Sequence, residues 1–77
     1  MYVYILKSIH HAKFYTGITS NPKTRLHEHN SGKCKSTSPF KPWTFKNIFW
    51  FADPQKAFAF EKYLKSGSGR AFVNKHF

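Results

Sequence analysis

Five side chains of this 77-residue chain stand out for the chemistry their types and spacing allow: Tyr4, Tyr15, Arg25, His29 and Glu61. Glu61 falls among the apolar positions Ala57, Phe60 and Leu64, which repeat at the spacing of one helix face. A carboxylate there loses solvation unless something pairs with it. Two readings follow: a boundary glutamate paired with a neighbouring lysine, or a ligand for a divalent metal ion. Arg25 and His29 are four residues apart, so on a helix they project from one face and can reach one phosphate or one catalytic group. Arg25 and Arg70 are the only arginines among thirteen basic residues, and a guanidinium fork holds phosphate oxygens in a way lysine cannot. The plainer alternative is a solvated polar helix face. Tyr4 and Tyr15 are likewise either amphipathic strand residues or proton-handling groups.

These side chains need elements to position them. Residues 2–7 and 13–19 are rich in β-branched and aromatic types and are separated by a short polar stretch, which predicts an antiparallel hairpin. Alternation places Tyr2, Tyr4 and Leu6 on one face and Val3 and Ile5 on the other. The same rule separates Tyr15 and Gly17 from Phe14, Thr16 and Ile18, so Tyr4 and Tyr15 can share a face. Asn21-Pro22 signals a helix start and Asn30-Ser31-Gly32 its end, giving a helix over 22–30 anchored by a narrow stripe around Leu26.

Residues 31–42 form a basic, Ser/Thr-rich loop in which Lys33, Lys35 and Lys41 are candidate phosphate contacts. Residues 43–51 predict a third strand, with Trp43, Phe45, Phe49 and Phe51 in alternation, and this strand is expected to be central to the core. Asp53-Pro54 repeats the helix-start signature, and the stripe through Ala57, Phe60 and Leu64 predicts a helix from 54 to about 66. Residues 70–75 can add a short final turn. The order β-β-α-β-α(-α) describes one α+β domain over residues 1–77.

Composition limits what such a domain does. Thirteen Lys and Arg against Glu28, Asp53 and Glu61 give a net charge of +10, which favours a polyanionic partner, with nucleic acid first. Glu28 and Asp53 suit a solvated face and a helix cap. No run approaches the roughly 18 apolar residues of a spanning helix, and no basic amphipathic helix has a continuous apolar face, so a membrane partner is not expected. The start, Met1 to Leu6, reads as a strand rather than a targeting segment, and the cytoplasm is the expected location. A single cysteine, Cys34, excludes an internal disulfide and a thiolate-rich zinc site within the chain, and the histidines are poorly spaced for metal. With three acids in all, two-metal catalysis lacks ligands, whereas one Mg²⁺ or Mn²⁺ sharing Glu61 with water and substrate oxygens is feasible.

The order Tyr2-Val3-Tyr4, Tyr15-Thr16-Gly17, Arg25, His29 and Glu61 resembles the GIY-YIG endonuclease superfamily across nearly the whole chain. The segments His29 to Lys33, Lys41-Pro42-Trp43 and Glu61 to Gly67 look closest to small stand-alone members related to the UvrC N-terminal domain. Tyr2, Val3 and Thr16 stand where the name-giving Gly, Ile and Ile would be; no tyrosine proposed for chemistry is lost.

The resemblance implies a three-stranded antiparallel sheet flanked by helices, and hydrolysis of DNA phosphodiester bonds with one divalent ion, in DNA repair or recombination. It also implies roles. Tyr4 or Tyr15 takes or orders the proton of the attacking water, His29 polarises the acting tyrosine, Arg25 steadies the phosphate and Glu61 holds the metal. The resemblance also matches Asn74 to an asparagine found near the end of many members; Arg70, the second guanidinium, is by its type a further candidate nucleic-acid contact. DNA is favoured over RNA, with no small-molecule cofactor. The competing reading is a non-catalytic DNA- or RNA-binding module that keeps the fold, and a third is a subunit lending one basic surface to a larger assembly.

Overall fold

The computed structural model describes residues 1–67. The turn expected over 70–75, with Arg70 and Asn74, lies outside the described residues. Three strands, β1 (Tyr2–Ser8), β2 (Phe14–Thr19) and β3 (Trp43–Trp50), form an antiparallel sheet in the order β2-β1-β3. Among the described residues two helices accompany it, α1 (Pro22–Asn30) and α2 (Pro54–Lys65), so the fold is α+β as the sequence implies.

β1, not β3, is the central strand. Val3, Tyr4, Ile5 and Leu6 are each at most 1% exposed. Four consecutive large side chains can all be buried only in a strand covered on both faces, and β1 is the one strand with that pattern. β3 interleaves Thr44, Lys46 and Asn47 with its aromatics and takes an edge. Its expected alternation also breaks. The register shifts between Ile5 and Leu6, where Ile5 pairs with Asn47 but Leu6 with Phe45, leaving Lys46 as the extra residue of a bulge. An extra residue reverses the facing of everything beyond it. Trp43 and Phe45 therefore pack with Tyr4 and Leu6, while Phe49 and Phe51 pack with Val3 and Ile5. One aromatic strand thus supplies both faces of a two-sided core.

Each face has its helix. On the Val3/Ile5 face, Ala57 and Leu64 of α2 are buried and Phe60 packs beside them, as the apolar stripe requires. Asp53 caps this helix by accepting a hydrogen bond from the Gln55 N–H at 2.9 Å. On the Tyr4/Leu6 face lies α1, capped by the Asn21 side chain on the Thr24 N–H at 3.2 Å. Leu26 is not its principal anchor. That residue is half-buried, whereas His29 is fully buried, with its ring nitrogens partnered by Tyr4 and Thr37.

The 31–42 connection is pinned rather than loose. Gly32 turns it at φ +84°, in the left-handed region that favours glycine. Asn30 then acts as a surrogate strand neighbour for the start of β3: its Nδ2 donates to the Trp43 carbonyl at 3.0 Å, and the Trp43 N–H donates to its Oδ1 at 2.6 Å. A short 3₁₀ turn at Ser38–Phe40 follows the buried Thr37, and Ser8 Oγ donates to the Phe40 carbonyl at 2.7 Å.

Gly17 in β2 pairs with Tyr4 across the sheet, and the Tyr4 hydroxyl and ring occupy the space a Cβ on Gly17 would need. Gly17→Ala is expected to force Tyr4 aside and lower the unfolding free energy by about 1–3 kcal/mol, the range for overpacking a tight site. Urea denaturation measures it. An unchanged midpoint would show that the tyrosine has room to move.

Candidate active site

The face-sharing expected from alternation brings Tyr4 and Tyr15 together on the α1 side, with ring centres 6.3 Å apart. Leu6 pairs with Tyr15 and Tyr4 with Gly17, which sets this arrangement directly from strand register. α1 then contributes His29 and Arg25 to the same place.

His29 Nε2 lies 3.0 Å from the Tyr4 hydroxyl, and its Nδ1 lies 2.9 Å from Thr37 Oγ1. Thr37 Oγ1 donates its own proton to the Cys34 carbonyl at 3.3 Å. The hydroxyl of Thr37 is then left to accept, which makes Nδ1 the protonated nitrogen of His29 and leaves the Nε2 lone pair for the Tyr4 O–H. The chain of bonds runs Tyr4 to His29 to Thr37 to the Cys34 backbone. All three side chains are at most 2% exposed.

Electrostatics keeps this chain neutral at rest. Burial pushes the Tyr4 phenol up to about 12, against which the adjacent Arg25 guanidinium pulls down by hydrogen bonding. Burial also depresses His29, and the positive charge of Arg25 depresses it further. Both groups are therefore held in their uncharged forms, with the tyrosine proton already aimed at the imidazole.

Arg25 is held by Glu28: its Nη1 donates to Oε1 at 3.0 Å, and the two side chains are 36% and 33% exposed. Glu28 thus keeps a partly solvated place on the helix while pairing with Arg25. The hydrogen bond to Glu28, and then the one to Tyr4, raise the pKa of Arg25, so the guanidinium stays charged. One carboxylate orients the fork while leaving other N–H groups for a ligand. The i, i+3 spacing of Arg25 and Glu28 was the available signal for this contact. Thr37 offered no signal, because nothing in the run Ser36-Thr37-Ser38 distinguishes it from its neighbours.

Glu61 comes from the other helix. Its Oε2 pairs with Lys65 Nζ at 2.9 Å, with side chains 18% and 49% exposed respectively, so the lysine-paired arrangement is the one observed. The same Nζ lies 5.9 Å from the centre of the Tyr15 ring. α2 packs on the far face, so Lys65 reaches round the β2 edge and links Glu61 to the tyrosine side of the sheet.

Among the described residues no three His, Cys, Asp or Glu side chains converge as a metal cluster. The donor chemistry nonetheless fits a single hard cation. Mg²⁺ is commonly held by one or two carboxylates plus water and substrate phosphate, and Glu61 supplies one such carboxylate, with Lys65 as the positive charge to be displaced.

Lys33, Lys35 and Lys41 are exposed along the connection that carries Thr37. Cys34 is a half-buried free thiol. No helix among the described residues is long and apolar enough to cross a membrane.

Residues 1–75 match the family model of the GIY-YIG catalytic domain. No curated protein and no solved structure matches the chain significantly. Because the family match takes in every described element from β1 to α2, the chain belongs to the GIY-YIG family and has its nuclease-type fold.

Proposed function

We propose that the protein is an endonuclease that hydrolyses phosphodiester bonds of DNA, rather than RNA, with one bound Mg²⁺ or Mn²⁺, in repair or recombination as its likeness to small UvrC-related members implies. The buried Tyr4-His29-Thr37 chain beside Arg25 is the observation that carries this reading. A buried tyrosine needs one partner for its hydroxyl; here the partner is a histidine whose other nitrogen is itself held by Thr37, with a charged guanidinium alongside, which is more than satisfaction requires.

In this reading Tyr4 oxygen accepts a proton from the attacking water while its own proton passes to His29 Nε2. Thr37 holds the imidazole in the receptive tautomer, and the proton transfer leaves no isolated phenolate in a buried place. Arg25, steadied by Glu28, binds non-bridging phosphate oxygens and stabilises charge as it builds in the transition state. Tyr15 packs against His29, with ring centres 4.8 Å apart, and helps keep the imidazole on Tyr4. Glu61 would hold the divalent ion, which when bound polarises the phosphoryl group and offsets charge on the leaving oxygen. Lys33, Lys35 and Lys41 contact flanking phosphates, with Arg70 and Asn74 as further contacts beyond the described residues.

A cleavage assay on single-stranded, duplex and branched DNA, and on matched RNA, tests the proposal. Wild type is expected to cut DNA with Mg²⁺ or Mn²⁺, and Glu61→Gln to lose nearly all of that cleavage. DNA affinity in chelator should change less than about twofold, while falling steeply with salt for both proteins through counterion release. Binding without cleavage under any metal would favour the non-catalytic module instead. Equal cleavage by both proteins would point to a contaminant.

A further inference from the structure

On the Tyr4 face, the end of the sheet away from Trp43 carries a shallow groove of about 470 Å³. Tyr2, Phe45 and Ile48 line one side, and the turn from Ser20 to Lys23 lines the other. Strand register places Trp50 directly opposite Tyr2 on this same face, two residues beyond Ile48. Trp50 is 61% exposed and Ile48 46% exposed. Large apolar groups left together in water on a small protein mark a contact surface.

Two observations say what covers it. The groove is continuous with the candidate site, since Phe45 lines it and also meets the Tyr4 ring edge-on at 6.4 Å. Its charge suits a phosphate-bearing ligand as well. Lys23 stands at its wall, and each acid of the protein is engaged elsewhere: Glu28 with Arg25, Asp53 with its helix cap and Glu61 with Lys65. Flat aromatic faces beside a lysine, in a protein of charge +10, are the combination that stacks bases while tracking a strand. Paired bases are already stacked inside a duplex, so a base must be unpaired or splayed out to enter.

We propose that this groove receives an unpaired nucleobase of the substrate strand adjoining the cleaved phosphate, stacked on Trp50 and Tyr2, with its phosphate on Lys23. The inference rests on the nuclease reading above and adds a preference to it, for nucleic acid with unpaired nucleotides beside the cut.

The test measures binding by fluorescence anisotropy, in chelator, to three ligands: a perfect duplex, the same duplex with a short unpaired bulge, and that bulge with its unpaired bases removed as abasic sites. Wild type is expected to prefer the base-containing bulge to the abasic one by about 5- to 100-fold. Trp50→Ala should erase that preference and leave duplex affinity unchanged, and Trp50→Phe should restore most of it. Because Trp50 is exposed, the alanine variant is expected to fold, which circular dichroism verifies.

Equal wild-type affinity for the two bulges overturns the stacking site while leaving the nuclease reading intact, as does an equal loss by Trp50→Ala on all three ligands. Sedimentation showing a wild-type dimer that Trp50→Ala converts to monomer would assign the surface to a second copy of the chain instead. Failure to bind any of the three at low salt overturns the nucleic-acid reading itself, and this inference with it.

Discussion

Replacing Tyr4 by Phe is expected to slow strand cleavage by about 10²- to 10⁴-fold, the range associated with loss of a general acid–base group. The substitution removes one oxygen atom and keeps the ring that packs against Tyr15, His29 and Phe45. Nucleic-acid affinity should therefore change little. Folding is expected to weaken by only about 1–2 kcal/mol, because His29 Nε2 loses its donor in a buried place. Tyr15→Phe is the informative companion. Tyr15 is half-buried and sits beside His29, but it is the Tyr4 hydroxyl that bonds the imidazole. Tyr15→Phe should cost far less than Tyr4→Phe. Single-turnover cleavage by the two variants separates the tyrosines, and a larger loss for Tyr15→Phe would move the proton relay to that residue.

His29→Ala is expected to damage both stability and activity. His29 is fully buried and joins α1 to β1 through Tyr4 and to the 31–42 connection through Thr37. Its removal leaves a cavity and two hydroxyls short of a partner, a loss of roughly 2–5 kcal/mol. In a domain whose total stability is about 5–15 kcal/mol, that loss can leave a substantial unfolded fraction. Thr37→Val keeps the imidazole and removes its acceptor together with the longer bond to the Cys34 carbonyl, so it should fold, with a loss nearer about 1–2 kcal/mol, while relaxing the tautomer on which Tyr4 depends.

Acid should reproduce part of the same loss. The pKa of His29 is lowered in the fold from an ordinary 6.5, chiefly by burial and then by Arg25. The unfolded chain therefore binds the proton first as pH falls. The stabilisation due to neutral His29 is complete above about pH 6.5 and is lost progressively below it, as pH falls through the depressed folded value. Denaturation midpoints measured from pH 8 down to pH 4.5 should decline over that window in wild type. The part of the decline due to this group should be missing in His29→Ala, and parallel curves for the two proteins would show that His29 is not the responsible group.

The local elements were legible because their signals are local. Asn21-Pro22 and Gly32 bracket α1 at the residues where it starts and ends, and Asp53-Pro54 does the same for the start of α2. A period of two in β1 and β2 was enough to put Tyr4 and Tyr15 on one face, and a period near four enough to put Arg25 and His29 on one side of a helix. β3 defeated the same rule, because one inserted residue at Lys46 reverses the facing beyond it and the sequence carries no mark of a bulge there. The site was half legible for a related reason. Tyr4 bonds a histidine twenty-five residues away, which in turn bonds a threonine eight residues further on, and neither contact leaves a periodic trace.

From its residues alone this chain is a strongly basic α+β protein with a tyrosine pair, an Arg/His helix face and an isolated carboxylate. Side-chain type and short-range spacing suffice for that, since they depend on backbone geometries common to every strand and helix. Register and packing settled the rest: His29 rather than Leu26 anchors α1, Tyr4 rather than Tyr15 takes the imidazole bond, Glu28 steadies Arg25, and Lys65 occupies Glu61. Burial decides the first two, whereas the two ion pairs, on side chains 18–49% exposed, follow from i, i+3 and i, i+4 spacing on their helices. Once the two-sided core forms around β1, a polar group inside it must find a partner or leave, and which partner is within reach depends on how β1, α1 and the 31–42 connection come together.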